Sequence, residues 1–246
     1  MFPTVAFFIM GFYLLPAAVR GGNAMEKGSI PTTKEKYTYE ARPMNSVKRQ
    51  SKEFITMEFL HFENRVLYTS TITKSGSMEV TRIAVKPDGD FISATRDQAD
   101  DSGGYMRLEQ IWRDENKAYV QRYKNGAAAV KEYLLPGDRR LAVDASLLVL
   151  LRSFPFNENR AWKLFMVDFS QHSISVTVNQ AAVEDVRVPA GNFTCYRMEV
   201  IVDLVIFHPK ITYWITKAVP HFLVKHQGKR GPFTPSYETS LLTWNK

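Results

Sequence analysis

A single cysteine, Cys195, stands in a chain of 246 residues, which excludes an intramolecular disulfide. Histidine is nearly as scarce: His61, His172, His208, His221 and His226 make up the whole supply. No HExxH, CxxC or facial-triad spacing occurs, so none of the common metal-site signatures is present. There is no glycine-rich phosphate loop of the P-loop or Rossmann type, and no G-x-S-x-G nucleophile elbow. The net charge is +7, yet lysine and arginine are scattered, with small clusters only at Lys48-Arg49 and Lys229-Arg230. No basic helix and no nucleic-acid motif results, and nucleic acid is not an expected partner. No catalytic residue, cofactor or metal ligand is assigned, and the expectation is a protein that is not an enzyme. Cys195 itself reads as a buried, inert thiol. A nucleophilic cysteine needs a base beside it, and His208 and His221 are the loose candidates.

What is present begins at the N-terminus. The stretch MFPTVAFFIMGFYLLPAAVRGGNA carries an apolar run from Val5 to Leu15, then Pro16 and small residues up to Ala24. This is the order of a secretory signal, although no Lys or Arg precedes the run and Arg20 lies within the cleavage region. An uncleaved anchor is the competing reading. The run falls short of the roughly 20 residues that span a bilayer, which favours cleavage near Ala24. Residues 1–24 are therefore expected to be a signal peptide, 25–36 a flexible leader and 37–246 one β-rich domain. No later segment is apolar and long enough to span a membrane. Positive charge on an exported chain draws it to anionic surfaces, or simply keeps it soluble.

From Tyr37 onward short strands alternate with tight turns. In Phe54–His61, Ile55, Met57 and Phe59 share one face, and Phe54, Thr56 and Glu58 the other. Strands are also expected at Val66–Thr73, Met78–Val85, Tyr105–Arg113, Ala118–Lys124 and Ala127–Leu134. Lys86-Pro87-Asp88-Gly89 has turn chemistry, and Asn125-Gly126 is a strong two-residue hairpin signal. Asp144–Ser153 breaks the alternation with a continuous Leu-rich run, which predicts one short buried helix capped by Asp144. Further strands follow at Ala161–Phe169, Ser173–Asn179, Ala182–Val188, Phe193–Phe207, Lys210–Thr216, Phe222–His226 and Tyr237–Thr243. The expected fold class is mainly β: a curled antiparallel sheet, half-barrel or open barrel, with one short helix.

The segment VPAGNFTCYRMEV, residues 188–200, sets up the longest of these strands. Pro189 fixes φ and Gly191 tolerates a left-handed conformation, so the turn starts the strand in one register. Tyr196, Met198 and Val200 then share an apolar face, while Arg197, Glu199 and Ile201 share a mixed one. Together with Leu147–Arg152 plus Pro155, and Trp214-Ile215-Thr216 through Leu223-Val224-Lys225, this element resembles a bacterial envelope family, domain of unknown function 3108. The resemblance covers about residues 140–245. It implies an exported, periplasmic β fold akin to lipoprotein-carrier half-barrels, and it brings no catalytic residues. The lipobox cysteine of lipoprotein members is absent. In a bacterial chain the formal sequon Asn192-Phe193-Thr194 carries no meaning.

Aromatic residues make up 13% of the chain. On the inner face of a curled sheet they either fill the core or line a cavity for an apolar or lipid-like ligand. The candidate lining is Trp112, Trp162, Met198, Val200 and Trp214. His221 and His226, five apart, fall on opposite faces of a strand and are not expected to share a metal. Asp97, Asp100 and Asp101, before Ser102-Gly103-Gly104, form an acidic loop without EF-hand spacing and read as a solvated turn. The leading expectation is a periplasmic protein that binds an apolar ligand or envelope component. The alternative is a structural or interaction module of the envelope with no small-molecule ligand.

Overall fold

In the computed structural model the described residues are 31–44, 52–74, 76–100, 105–124, 127–143, 146–156, 158, 160–204, 208–229 and 236–245. The signal segment, Asp101–Gly104, Asn125-Gly126, Asp144 and 205–207 lie outside them.

Alternating burial lays down an eight-strand meander first. Strands β1 (Thr33–Pro43), β2 (Glu53–His61), β3 (Val66–Lys74), β4 (Ser77–Val85), β5 (Phe91–Asp100), β6 (Tyr105–Asp114), β7 (Lys117–Lys124) and β8 (Ala127–Leu134) pair in sequence order, each antiparallel to the last. A short strand β9 (Arg140–Val143) and the helix α1 (Leu147–Arg152) follow. A second meander then runs through β10 (Trp162–Val167), β11 (Ser173–Val188), β12 (Gly191–Val202), β13 (Lys210–Thr216), β14 (Leu223–Lys229) and β15 (Ser236–Asn245). Strand β15 pairs with β1, which joins both meanders into one 15-stranded sheet whose edges are β8 and β9. Only β9 and β10 pair in parallel among the described residues.

The sheet curls without closing. Strand β9 packs near β5, but β5 pairs with β4 and β6. The seam is held by side chains. Tyr133 of β8 meets Phe165 of β10 with ring centroids 6.5 Å apart. The guanidinium of Arg96 lies 4.4 Å over the Phe169 ring. Lys131 Nζ donates to the Gln171 carbonyl at 3.0 Å, and the Tyr133 hydroxyl donates to the same oxygen. Leu141, Ala142 and Val143 are buried consecutively, as befits a strand covered on both faces.

Helix α1 sits inside the curl at one end. Leu147, Val149, Leu150 and Leu151 are buried, and Arg152 reaches β1 and β2. Gly89 lets the β4–β5 turn approach closely: its φ is +87°, and a Cβ there would stand 2.7 Å from Ser153 Oγ. Tyr39, 1% exposed, donates its hydroxyl across the interior to the Leu223 carbonyl at 3.0 Å. Tyr37, Tyr68, Ile83, Leu164, Met198, Ile215 and Leu241 are buried in the same core. Each such side chain contributes about 1.5–3 kcal/mol relative to exposure.

Several sequence expectations need correction. Strand β1 begins at Thr33, so Thr33–Lys36 of the expected leader is sheet. Asp97 and Asp100 belong to β5, not to a loop, and Asp97 accepts from Arg82 at 2.5 Å. The N-cap position of α1 is taken by Ser146, whose hydroxyl turns back to Val143, rather than by Asp144. Residues 173–188 form one strand with an irregularity between Gln180 and Ala182, not two strands. Strand β12 ends at Val202, short of the expected Phe207.

Candidate functional site

The turn at Pro189-Ala190 leads into Gly191, whose φ is +133°, and pairs Val188 with Gly191. The register so fixed turns Tyr196, Met198 and Val200 inward at 7%, 0% and 1% exposure. Trp162 joins that inner face: it pairs with Val178, which pairs with Val200. Its ring lies 4.8 Å from Phe154 and under the Arg140 guanidinium at 4.9 Å.

The other two candidate lining residues stand on the outer face. Trp112 stacks on Tyr119 at 5.3 Å and 12°, while its neighbour Ile111 takes the inward position. Trp214 pairs with Arg197 and Lys225, donates Nε1–H to Glu184 Oε1 at 2.5 Å, and lies under Lys225 Nζ at 5.5 Å. Tyr213 and Ile215 face the interior instead, because successive strand residues alternate.

Two ionic clusters lie on the inner face. Glu35 accepts from Arg152 at 2.7 Å and from the Tyr37 hydroxyl at 2.6 Å, and its other oxygen is 3.1 Å from His61 Nε2. Arg152 lies 4.2 Å over the Phe59 ring. Burial alone would raise the Glu35 carboxyl. The Arg152 guanidinium, the Tyr37 hydroxyl and His61 outweigh it and hold the carboxyl below its usual range. Burial and then the bond to Glu35 push the Tyr37 phenol upward. A depressed folded pKa contributes stability that is present above the unfolded value and lost as pH falls through the folded one. Glu35→Gln is therefore expected to be less stable than the parent at neutral pH, with the gap narrowing below about pH 4. Urea midpoints across pH 3–7 check this, and a gap that does not change with pH would refute it.

The second cluster centres on Glu109, which is fully buried. Arg96 Nε and Arg122 Nε donate to it at 2.8 and 2.9 Å. Its inward position was readable from parity with Ile111, two residues on, although a charge at a core position runs against composition.

The remaining chemistry-bearing residues are dispersed. Cys195 donates its S–H to the Phe193 carbonyl at 3.5 Å. Burial, with Asp185 and Glu184 nearby, pushes its thiol up to about 12, which is the opposite of an activated nucleophile. His221 Nδ1 sits 2.8 Å from the Thr216 carbonyl, beside the stacked Phe156 and Tyr196 rings. These line an open depression of about 380 Å³ with Phe154, Glu158 and Lys217. His226 packs on Tyr213, and His172 is exposed beside Asp168. His208 is exposed. Among the described residues no group of three or more His, Cys, Asp or Glu could hold a metal ion, and no helix is long and apolar enough to cross a membrane.

Strand β8 presents the other distinctive feature, a free edge. It pairs with β7 over its whole length without a register shift, and among the described residues no strand lies beyond it. Seven of its eight residues are exposed, including Val130 at 55% and Leu134 at 67%.

No family model matches this chain, and no curated protein matches it. Among solved structures, it is similar to a Bacteroides fragilis protein considered to be exported and to have a YmcC-like fold. The identity is 14%, over 89% of this chain and 99% of that one, with a TM-score of 0.28. That degree of superposition assigns neither fold nor function to this chain.

Proposed function

We propose that this chain is an exported, non-enzymatic protein of the bacterial envelope that works through contacts with other protein surfaces. The observation that carries the reading is the buried cluster on the inner face of the sheet. Leu147, Val149, Leu150 and Leu151 of helix α1 are buried together with the inward side chains of both meanders. The packing thus favours the interaction-module alternative over a carried lipid. The apolar run before Ala24 and the motif resemblance at 188–200 and 214–225 support export to the periplasm. The exposed β8 edge supports a role in binding, because an unpaired edge is a template for strand addition. Native mass spectrometry of the protein recovered gently from the envelope fraction, with lipid extraction of the same sample, tests the reading. The expected spectrum carries no lipid mass. A stoichiometric lipid that persists through purification would overturn it and restore the carrier reading.

A further inference from the structure

We infer that the β8 edge docks a second copy of this chain, antiparallel and about a two-fold axis at Val130. This rests on the proposed interaction role and names its partner.

The backbone direction comes first. Leu135 N–H donates to the Asn116 carbonyl at 2.8 Å, and the same register continues to Lys124 opposite Ala127. Hydrogen-bonded pairs therefore recur at alternate residues: 133, 131, 129 and 127 bond to β7. The N–H and C=O groups of Ala128, Val130, Glu132 and Leu134 point the other way, toward the open side. Of the devices that usually blunt an edge, proline, a bulge and shortness are missing, and charge is present at Lys131 and Glu132. Strand β8 has no proline, no bulge and eight residues, whereas the other edge, β9, has four residues and is buried.

The sequence then chooses the occupant. Strand β8 reads Ala127-Ala128-Ala129, then Val130, then Lys131-Glu132-Tyr133. A small half and a large half flank a central valine. An antiparallel two-fold at Val130 sets Val130 against its twin, Ala129 against Lys131, Ala128 against Glu132 and Ala127 against Tyr133. Every small residue meets a large one, and no like charges stand opposite each other. Shifting the axis to Lys131 sets two ammonium groups face to face, and shifting it to Glu132 sets two carboxylates face to face and leaves alanines unpaired. Like charges directly opposite are destabilising. The Val130 axis also keeps the open N–H and C=O groups in bonding register, since it pairs even-numbered residues with even-numbered ones.

The test is sedimentation velocity on the protein as the cell processes it, up to about 100 μM, beyond the range where micromolar association shows. The parent is expected to dimerise. Val130→Pro removes an outward N–H without touching the β7 ladder and is expected to abolish the dimer, with circular dichroism reporting whether the fold is kept. A signed pair guards against a folding artefact. Ala128→Lys places an ammonium opposite Glu132 of the other copy and should tighten the dimer; Ala128→Glu should loosen it. Each shift is expected to be roughly 2- to 30-fold, two symmetric cross-strand pairs acting together. A parent that stays monomeric throughout, or Ala128 variants that shift in the same direction, would overturn the second-copy inference. A lipid adduct in the native spectrum would instead overturn the interaction reading beneath it.

Discussion

Glu109→Ala is expected to destabilise the protein by about 1–3 kcal/mol, since the side chains of Arg96 and Arg122 keep 21% and 32% exposure. The carboxylate is fully buried and holds the guanidinium groups of Arg96 and Arg122 on the inner face of the sheet. Removing it leaves two cations facing each other across β5, β6 and β7 with their shared counter-charge gone. The cost is mostly that of the stranded charges and not the worth of the cluster itself, because a buried ion network roughly breaks even against its own desolvation. The triple replacement Arg96→Met, Glu109→Leu, Arg122→Met should therefore recover most of the loss. Urea unfolding of the parent, the single variant and the triple variant gives the comparison. A single-variant loss below about 1 kcal/mol would mean that solvent reaches the site freely.

Much of the architecture was readable from alternation. Ile55, Met57 and Phe59 face the core and Phe54 does not, as the period-2 pattern of β2 requires. The helix at 147–152 was visible because a Leu-rich run breaks that period. The curled, mostly antiparallel sheet followed from turn chemistry, and Gly89 and Gly191 both adopt the positive φ their turns demand. Strand β9 was not readable, since four residues carry too little pattern and its parallel pairing with β10 depends on the curl. Strand β5 was missed because its polar residues Thr95, Arg96, Asp97 and Gln98 are held by cross-strand partners rather than by burial.

The site was less legible than the fold, and for a related reason. Trp112 and Trp214 were candidates for the lining as aromatics within strands, yet each has an apolar neighbour that claims the inward position. Parity within a strand outranks the hydrophobicity of one residue, because a one-residue shift would expose the whole inner row. Trp214 then satisfies its indole N–H on Glu184 and shelters under Lys225, which makes an outer position acceptable for so large a ring. The β8 edge was visible only as a hairpin strand. That no strand among the described residues pairs beyond it depends on β15 returning to β1 in the middle of the sheet.

Leu151→Ala, in the helix that plugs the curl, is expected to cost about 2–5 kcal/mol. Leu151 is fully buried, and its helix contacts the β4–β5 turn, β1 and β2 at once. Removing the side chain leaves an apolar void in a close-packed interior, which relaxes only in part. Hydrogen exchange on the same variant separates the two functional readings. If α1 is part of one cooperative core, its amides and those of β1, β2 and β12 lose protection together, by the amount the urea midpoint reports. If α1 is instead a lid over a ligand space, its amides exchange first and the sheet keeps its protection. The first pattern is expected, because Arg152 ties the helix to Glu35 and Phe59, and Phe154 and Phe156 continue the same contacts onto Trp162 and Tyr196. A helix fastened at so many points cannot leave without taking the inner face with it.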